Sequence, residues 1–140
     1  MQRCSGIVVI AVVALALSGC ETTKAFERTT WQLTELAGAS VTALPEGQEA
    51  HLFFDEGPPQ RASGSTGCNR LAASYSLRGS GLKFGPIATT KRACLEVMEQ
   101  EQAFLAALQA VDGWRIVDGR LVLLDTRGVP LAEFTAARRD

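Results

Sequence analysis

Cys68, Asn69 and His51 are the residue types of a cysteine-protease site: a thiolate nucleophile, a base, and an amide that orients the base. Their spacing argues against that chemistry. The orienting amide must reach the far side of the imidazole ring, and the immediate neighbour of the nucleophile is badly placed for it. Gly64-Ser65-Thr66-Gly67-Cys68-Asn69 has the small residues of a phosphate cradle. It lacks the Gly-Lys-Ser/Thr ending, however, and precedes no clear helix. The segment reads instead as a tight loop in which Gly64 and Gly67 allow positive φ and Asn69 bonds to nearby backbone. Glu96, Glu99 and Glu101 open a helical segment, where acidic side chains complement the helix dipole. There is no G-x-S-x-G elbow and no CxxC pair. His51 is the only histidine, so a zinc site is not indicated. The expectation is therefore no catalytic constellation, no metal and no cofactor.

Four cysteines remain to be accounted for. Arg3 is followed by an apolar run, Ile7 to Leu17, and then by Leu17-Ser18-Gly19-Cys20. As a helix the run would rise only ~16 Å, about half a bilayer core, which suits a secretory signal better than a membrane span. Small residues directly before a cysteine resemble the lipobox of bacterial lipoproteins. That resemblance implies cleavage before Cys20, diacylation of its thiol and acylation of the new amine, giving a stable membrane anchor. Glu21, where an Asp tends to retain a lipoprotein in the inner membrane, leans toward the outer membrane facing the periplasm. Cys4 leaves with the signal and Cys20 is taken by lipid. Cys68 and Cys94 are left as an even number in a compartment that permits disulfides. Joining them is expected to stabilise the fold by about 3–4 kcal/mol in the chain-entropy model. Two separate thiols, one of them reactive, are the alternative.

Arg70, Lys91 and Arg92 flank these cysteines. A disulfide would gather them into a candidate basic contact patch for anionic lipid or a protein partner. The chain as a whole carries a net charge of −1. No counterion-releasing basic surface is indicated, so nucleic acid is not an expected partner. Plentiful apolar residues and mixed charges exclude disorder.

These residues need a scaffold. Trp31 to Leu36 reads as a first strand with a break at Thr34, and Ala37 to Gly47 as a loop. Ala50 to Phe54 is β-rich and ends in an emphatic turn, Asp55-Glu56-Gly57-Pro58-Pro59. Arg61 to Ser65 suits a short strand. Leu71, Ala73, Tyr75 and Leu77 alternate with small or polar residues, and Gly79-Ser80-Gly81 turns that strand into Leu82-Lys83-Phe84. A helix is expected from about Leu95 to Val111, with Glu101 the exception on an otherwise apolar stripe of Val97, Met98, Phe104, Leu105, Leu108 and Val111. Trp114 to Val117 and Arg120 to Leu124 flank Asp118-Gly119, a sequence made for a type I′ hairpin. Leu131 to Thr135 follows the turn at Arg127-Gly128. Strands, one helix, then strands give an antiparallel α+β domain. Trp31, Phe54, Tyr75, Phe84, Leu105, Leu108, Leu121 and Leu123 form the expected core.

Several of these segments together carry a family resemblance. Trp31-Gln32-Leu33 opens the domain; Gly67-Cys68-Asn69-Arg70 and the strand with Tyr75 follow. Next come Gly85-Pro86-Ile87-Ala88-Thr89-Thr90, Cys94, the helix with Glu101, Phe104 and Leu108, and Leu121-Val122-Leu123-Leu124. The combination resembles the META domain of HslJ-type bacterial lipoproteins and heat-shock proteins over about residues 29–135. Lys91-Arg92 departs from the family, which often carries a methionine there. The resemblance implies a strongly curved antiparallel sheet or open barrel with one packed helix, and no reaction. It divides the chain into a signal peptide (1–19), a lipidated tether (20–28) and the domain (29–138). It also implies a non-enzymatic envelope lipoprotein acting through protein contacts in envelope stress or antibiotic tolerance. A module binding a small apolar ligand or lipid within the curved sheet is the alternative.

Overall fold

The computed structural model describes residues 18–137, with side chains from residue 22 onward. The run from Ile7 to Leu17 and the side chain of Cys20 lie outside the described residues. The elements are α1 (Ser18–Phe26), β1 (Thr30–Leu36), β2 (Ala39–Ser40), β3 (His51–Phe54), β4 (Arg61–Ser65), β5 (Arg70–Arg78), β6 (Gly81–Phe84), β7 (Ala88–Thr89), α2 (Met98–Ala110), β8 (Gly113–Val117), β9 (Arg120–Leu124) and β10 (Pro130–Ala136). Every pairing is antiparallel. The order β1-β3-β4-β5-β6-β8-β9-β10 closes on itself through β10 and β1, making an eight-stranded barrel. The short β2 and β7 attach at its margin, to β1 and β5.

Period-two alternation places the side chains. Along β5, Leu71, Ala73 and Tyr75 are buried while Arg70, Ala72 and Ser74 are exposed. β1 could not keep Trp31, Leu33 and Leu36 all inward by strict alternation. A register shift between Leu33 and Glu35, at the break expected for Thr34, turns all three into the core. The β8–β9 turn has Asp118 at φ 51° and Gly119 at φ 73°, so both central residues take the left-handed conformation of a type I′ hairpin. The β6–β8 contact is the weakest link of the ring, with Gly81 opposite Gly113 as its one register pair.

The barrel is filled by its own side chains. Phe54, Leu52, Leu82, Leu121, Leu123 and Phe134 are buried from the strands, and Phe104 and Leu108 from α2. The helix touches β1, β10 and β6, strands from opposite sides of the ring, so it lies across the barrel. It starts at Met98, three residues later than expected, and Leu95 is 84% exposed in the preceding turn. Leu105 and Phe84, expected in the core, are only half-buried. On α2 the inward positions are Phe104, Ala107 and Leu108, which rotates Leu105 to the rim.

The tether is corrected at its inner end. Residues up to Phe26 are helical, and Phe26 is wholly buried. Its ring packs at a tilt against Phe54 (centroids 4.1 Å apart) and Trp114 (4.6 Å). The Trp31 indole donates to the Phe26 carbonyl oxygen at 2.9 Å, and the Arg28 amide donates to the Phe54 carbonyl at 3.0 Å. A large ring beside short polar residues escapes a composition-based reading, but burying it contributes about 1.5–3 kcal/mol. The folded unit therefore begins before residue 29.

Candidate functional site

The loop between β4 and β5 is a four-residue turn built around one amide. Gly67 supplies the left-handed corner (φ 92°). Gly64 was expected to serve the same way, yet it lies within β4, where a Cβ would collide with the carbonyl of His51 across the ladder. Its role is close strand approach. Thr66 is fully buried; its hydroxyl accepts from the Asn69 amide (2.9 Å) and donates to Glu101 Oε1 (2.8 Å).

Asn69 is 4% exposed and its carboxamide is completely satisfied. Nδ2 donates to Glu101 Oε1 at 2.7 Å and to the Arg92 carbonyl at 3.0 Å. Oδ1 accepts from the Arg92 amide at 2.7 Å and the Thr90 hydroxyl at 2.9 Å. Two donors and two lone pairs are the full capacity of this side chain. Asn69 thus ties its own turn to the Thr90–Arg92 segment and to α2.

Glu101 faces this network from the buried side of the helix. The helix-dipole account of the Glu96, Glu99 and Glu101 group is therefore corrected for Glu101, whose carboxylate has two specific donors. The signal was present in the sequence. A lone charge on an apolar helical stripe needs a polar partner when it is brought inward.

Cys68 and Cys94 are joined, with Cα atoms 5.9 Å apart, fastening the same turn to the segment before α2. Beside the disulfide runs a groove of about 990 Å³ over the outer wall of β1, β3, β4 and β5. His51, Cys68 and Asn69 all line it, so the fold does bring together the three residue types of a cysteine-protease site. Two of the three are chemically occupied: the sulfur is bonded to Cys94 and the carboxamide is saturated, while His51 Nδ1 lies 3.0 Å from the Glu49 carbonyl. Arg70 and Arg92 are exposed and line the groove, whereas Lys91, also exposed, does not. The patch expected from three residues is a pair of arginines on the groove with a lysine beside them. Among the described residues no group of three or more His, Cys, Asp or Glu comes together to hold a metal.

Comparison with known proteins agrees with this architecture. A solution NMR structure of a protein from Burkholderia xenovorans has a TM-score of 0.65 at 26% identity, covering 96% of this chain and 99% of that one. A second NMR structure has a TM-score of 0.62 at 20% identity, covering 81% of this chain and 93% of the other. The crystal structure of a DUF4847 family protein from Bacteroides vulgatus shares the fold, with a TM-score of 0.62 at 12% identity over 82% of this chain and 96% of that one. No curated protein matches. The META domain model matches residues 24–138, starting before Phe26 as the packing of that ring requires, and the chain belongs to the META domain family.

Proposed function

We propose that the protein is a lipid-anchored lipoprotein of the bacterial envelope, on the outer membrane facing the periplasm. In this reading it acts without catalysis, by contact with another envelope protein, in the stress response or antibiotic tolerance. The anchor rests on the order of Arg3, the Ile7–Leu17 run and Leu17-Ser18-Gly19-Cys20. One structural observation carries the contact reading. The inside of the barrel is occupied by Phe26, Phe54, Phe104 and Phe134, and the broad concavity lies outside, over β3 and β4. A carrier of apolar molecules needs the reverse, an enclosed apolar space.

Two measurements test the proposal. Cys20→Ser should leave an unprocessed precursor and abolish acyl labelling; normal processing of that variant would remove the anchor. A native mass spectrum of protein extracted from membranes should show the acylated chain alone. A retained isoprenoid or fatty acid would favour the ligand-binding alternative.

A further inference from the structure

We infer that the outer groove is a docking site for an extended acidic segment of a partner protein, an assignment that rests on the contact reading above.

Charge is the first argument. No Asp or Glu lines the groove, although the chain as a whole carries more acidic than basic residues. The neighbouring carboxylates are not part of its lining: Glu49 accepts from the Gly47 amide at 2.8 Å, and Glu101 accepts from Thr66 and Asn69. Arg70 and Arg92 are on the groove and exposed, and among the described residues neither makes an ion pair.

The second argument is that the backbones carrying both guanidinium groups are already fixed. The Arg70 amide donates to the Thr90 hydroxyl at 3.0 Å, and the Arg70 carbonyl accepts from the Thr90 amide at 3.1 Å. Arg92 is held at both its amide and its carbonyl by Asn69, beside the disulfide. Holding the backbone in advance lowers the ordering cost of binding. Arginine is also the residue suited to bidentate recognition of a carboxylate.

Shape supplies the third. Phe53 on β3 and the small side chains of Ser63 and Ser65 on β4 line the floor, which runs from Thr30 on β1 to Arg70 on β5. Three inter-strand spacings give ~14 Å, the reach of about four extended residues. That is far more than a single anion requires. Position favours a protein over a lipid surface: α1, through which the anchor would enter, packs by Phe26 on Phe54 and Tyr75. Phe54 is at the end of β3 away from His51 and Tyr75 lies in the middle of β5, so Arg70 sits at the part of the groove away from α1, to which the nearest lining residue is Thr30.

The test is fluorescence anisotropy on the detergent-solubilised full chain with labelled hexaglutamate, hexaglutamine and phosphatidylglycerol vesicles as probes. Hexaglutamate should bind at least about tenfold more tightly than hexaglutamine and weaken several-fold between about 0.05 and 0.3 M salt. The double reversal Arg70→Glu with Arg92→Glu should lose about tenfold in affinity for hexaglutamate, with an unchanged denaturation midpoint. Lys24→Glu on α1 should bind as the parent does. Equal binding of the two peptides, or binding that survives the double reversal, would overturn the assignment. So would an effect of the reversal on vesicles alone, which would make the occupant a lipid surface. Those failures concern the groove; the native mass spectrum reports separately on the contact reading beneath it.

Discussion

Asn69 Nδ2 and Glu101 Oε1 meet at 2.7 Å across 32 positions of sequence, and through that contact the turn entering β5 is fastened to the first turn of α2. The bond is charge-assisted and Asn69 is buried, so loss of Glu101 leaves a buried donor without its strongest partner. Asn69→Ala leaves the Arg92 amide and the Thr90 hydroxyl without their acceptor and should cost about 2–3 kcal/mol in urea melts. Combined with Glu101→Ala, the two changes should be non-additive by about 1–2 kcal/mol in a double-mutant cycle. Strict additivity would mean that the contact does not hold the turn.

The disulfide duplicates part of this linkage, because Cys68–Cys94 and Asn69–Arg92 join the same two segments. Breaking the covalent bond should therefore lower stability while the native geometry persists. Cys68→Ser, Cys94→Ser and the double variant should each lose about 3–4 kcal/mol, with no further loss in the double, because a single bond is removed in all three. Near-UV circular dichroism at room temperature should stay native in each. Two free thiols in the unreduced, denatured protein would contradict the bond.

The parts of this fold that were legible in the sequence are those set by local chemistry. Asp118-Gly119 dictates its turn through two left-handed residues, and the Thr34 break marks a real irregularity in β1. Closure of the ring through β10 and β1 was not legible, because the pairing of Trp31 with Ala136 depends on the curvature of the whole sheet. Phe26 escaped for the same reason: its partners Phe54, Tyr75 and Trp114 come from three separate strands. At the site, the cysteine pairing followed from counting. The engagement of Asn69 with Glu101 required knowing which face of α2 turns inward.

That face makes a direct comparison. Leu108 is 1% exposed, and Leu108→Ala should cost about 2–5 kcal/mol, since a buried cavity replaces the side chain. Leu105 is half-buried at the rim, and Leu105→Ala should cost distinctly less. Equal losses in denaturant would mean the helix is rotated from the position described.

Phe26 sets the true start of the domain. Phe26→Ala should cost about 3–5 kcal/mol, as expected for an aromatic ring removed from a closed core. A chain beginning at Thr29 should be destabilised at least as much, while one beginning at Thr22 should melt like the longer form. Equal stability of the two truncations would return residues 22–28 to the role of a tether.

Tyr75 provides a pH signature of the packing around α1. Its hydroxyl donates to the Asp55 carbonyl at 2.7 Å and lies 3.1 Å from the Glu27 carboxylate. Burial, reinforced by the negative charge of Glu27, pushes the phenol well above its ordinary value of about 10. Above that value the unfolded chain releases the proton while the folded chain keeps it. The folded state then binds more protons, and stability falls as pH rises. The contribution is whole below pH ~10 and is lost progressively above it, as pH climbs toward the raised folded value. Tyr75→Phe should lose about 1 kcal/mol at neutral pH, for the missing hydrogen bond, and should show a shallower decline above pH ~10 than the parent. The chain has a single tyrosine, so phenolate absorbance reports this group alone. Its appearance in the folded protein at the ordinary tyrosine pH would show that the hydroxyl is not shielded by α1.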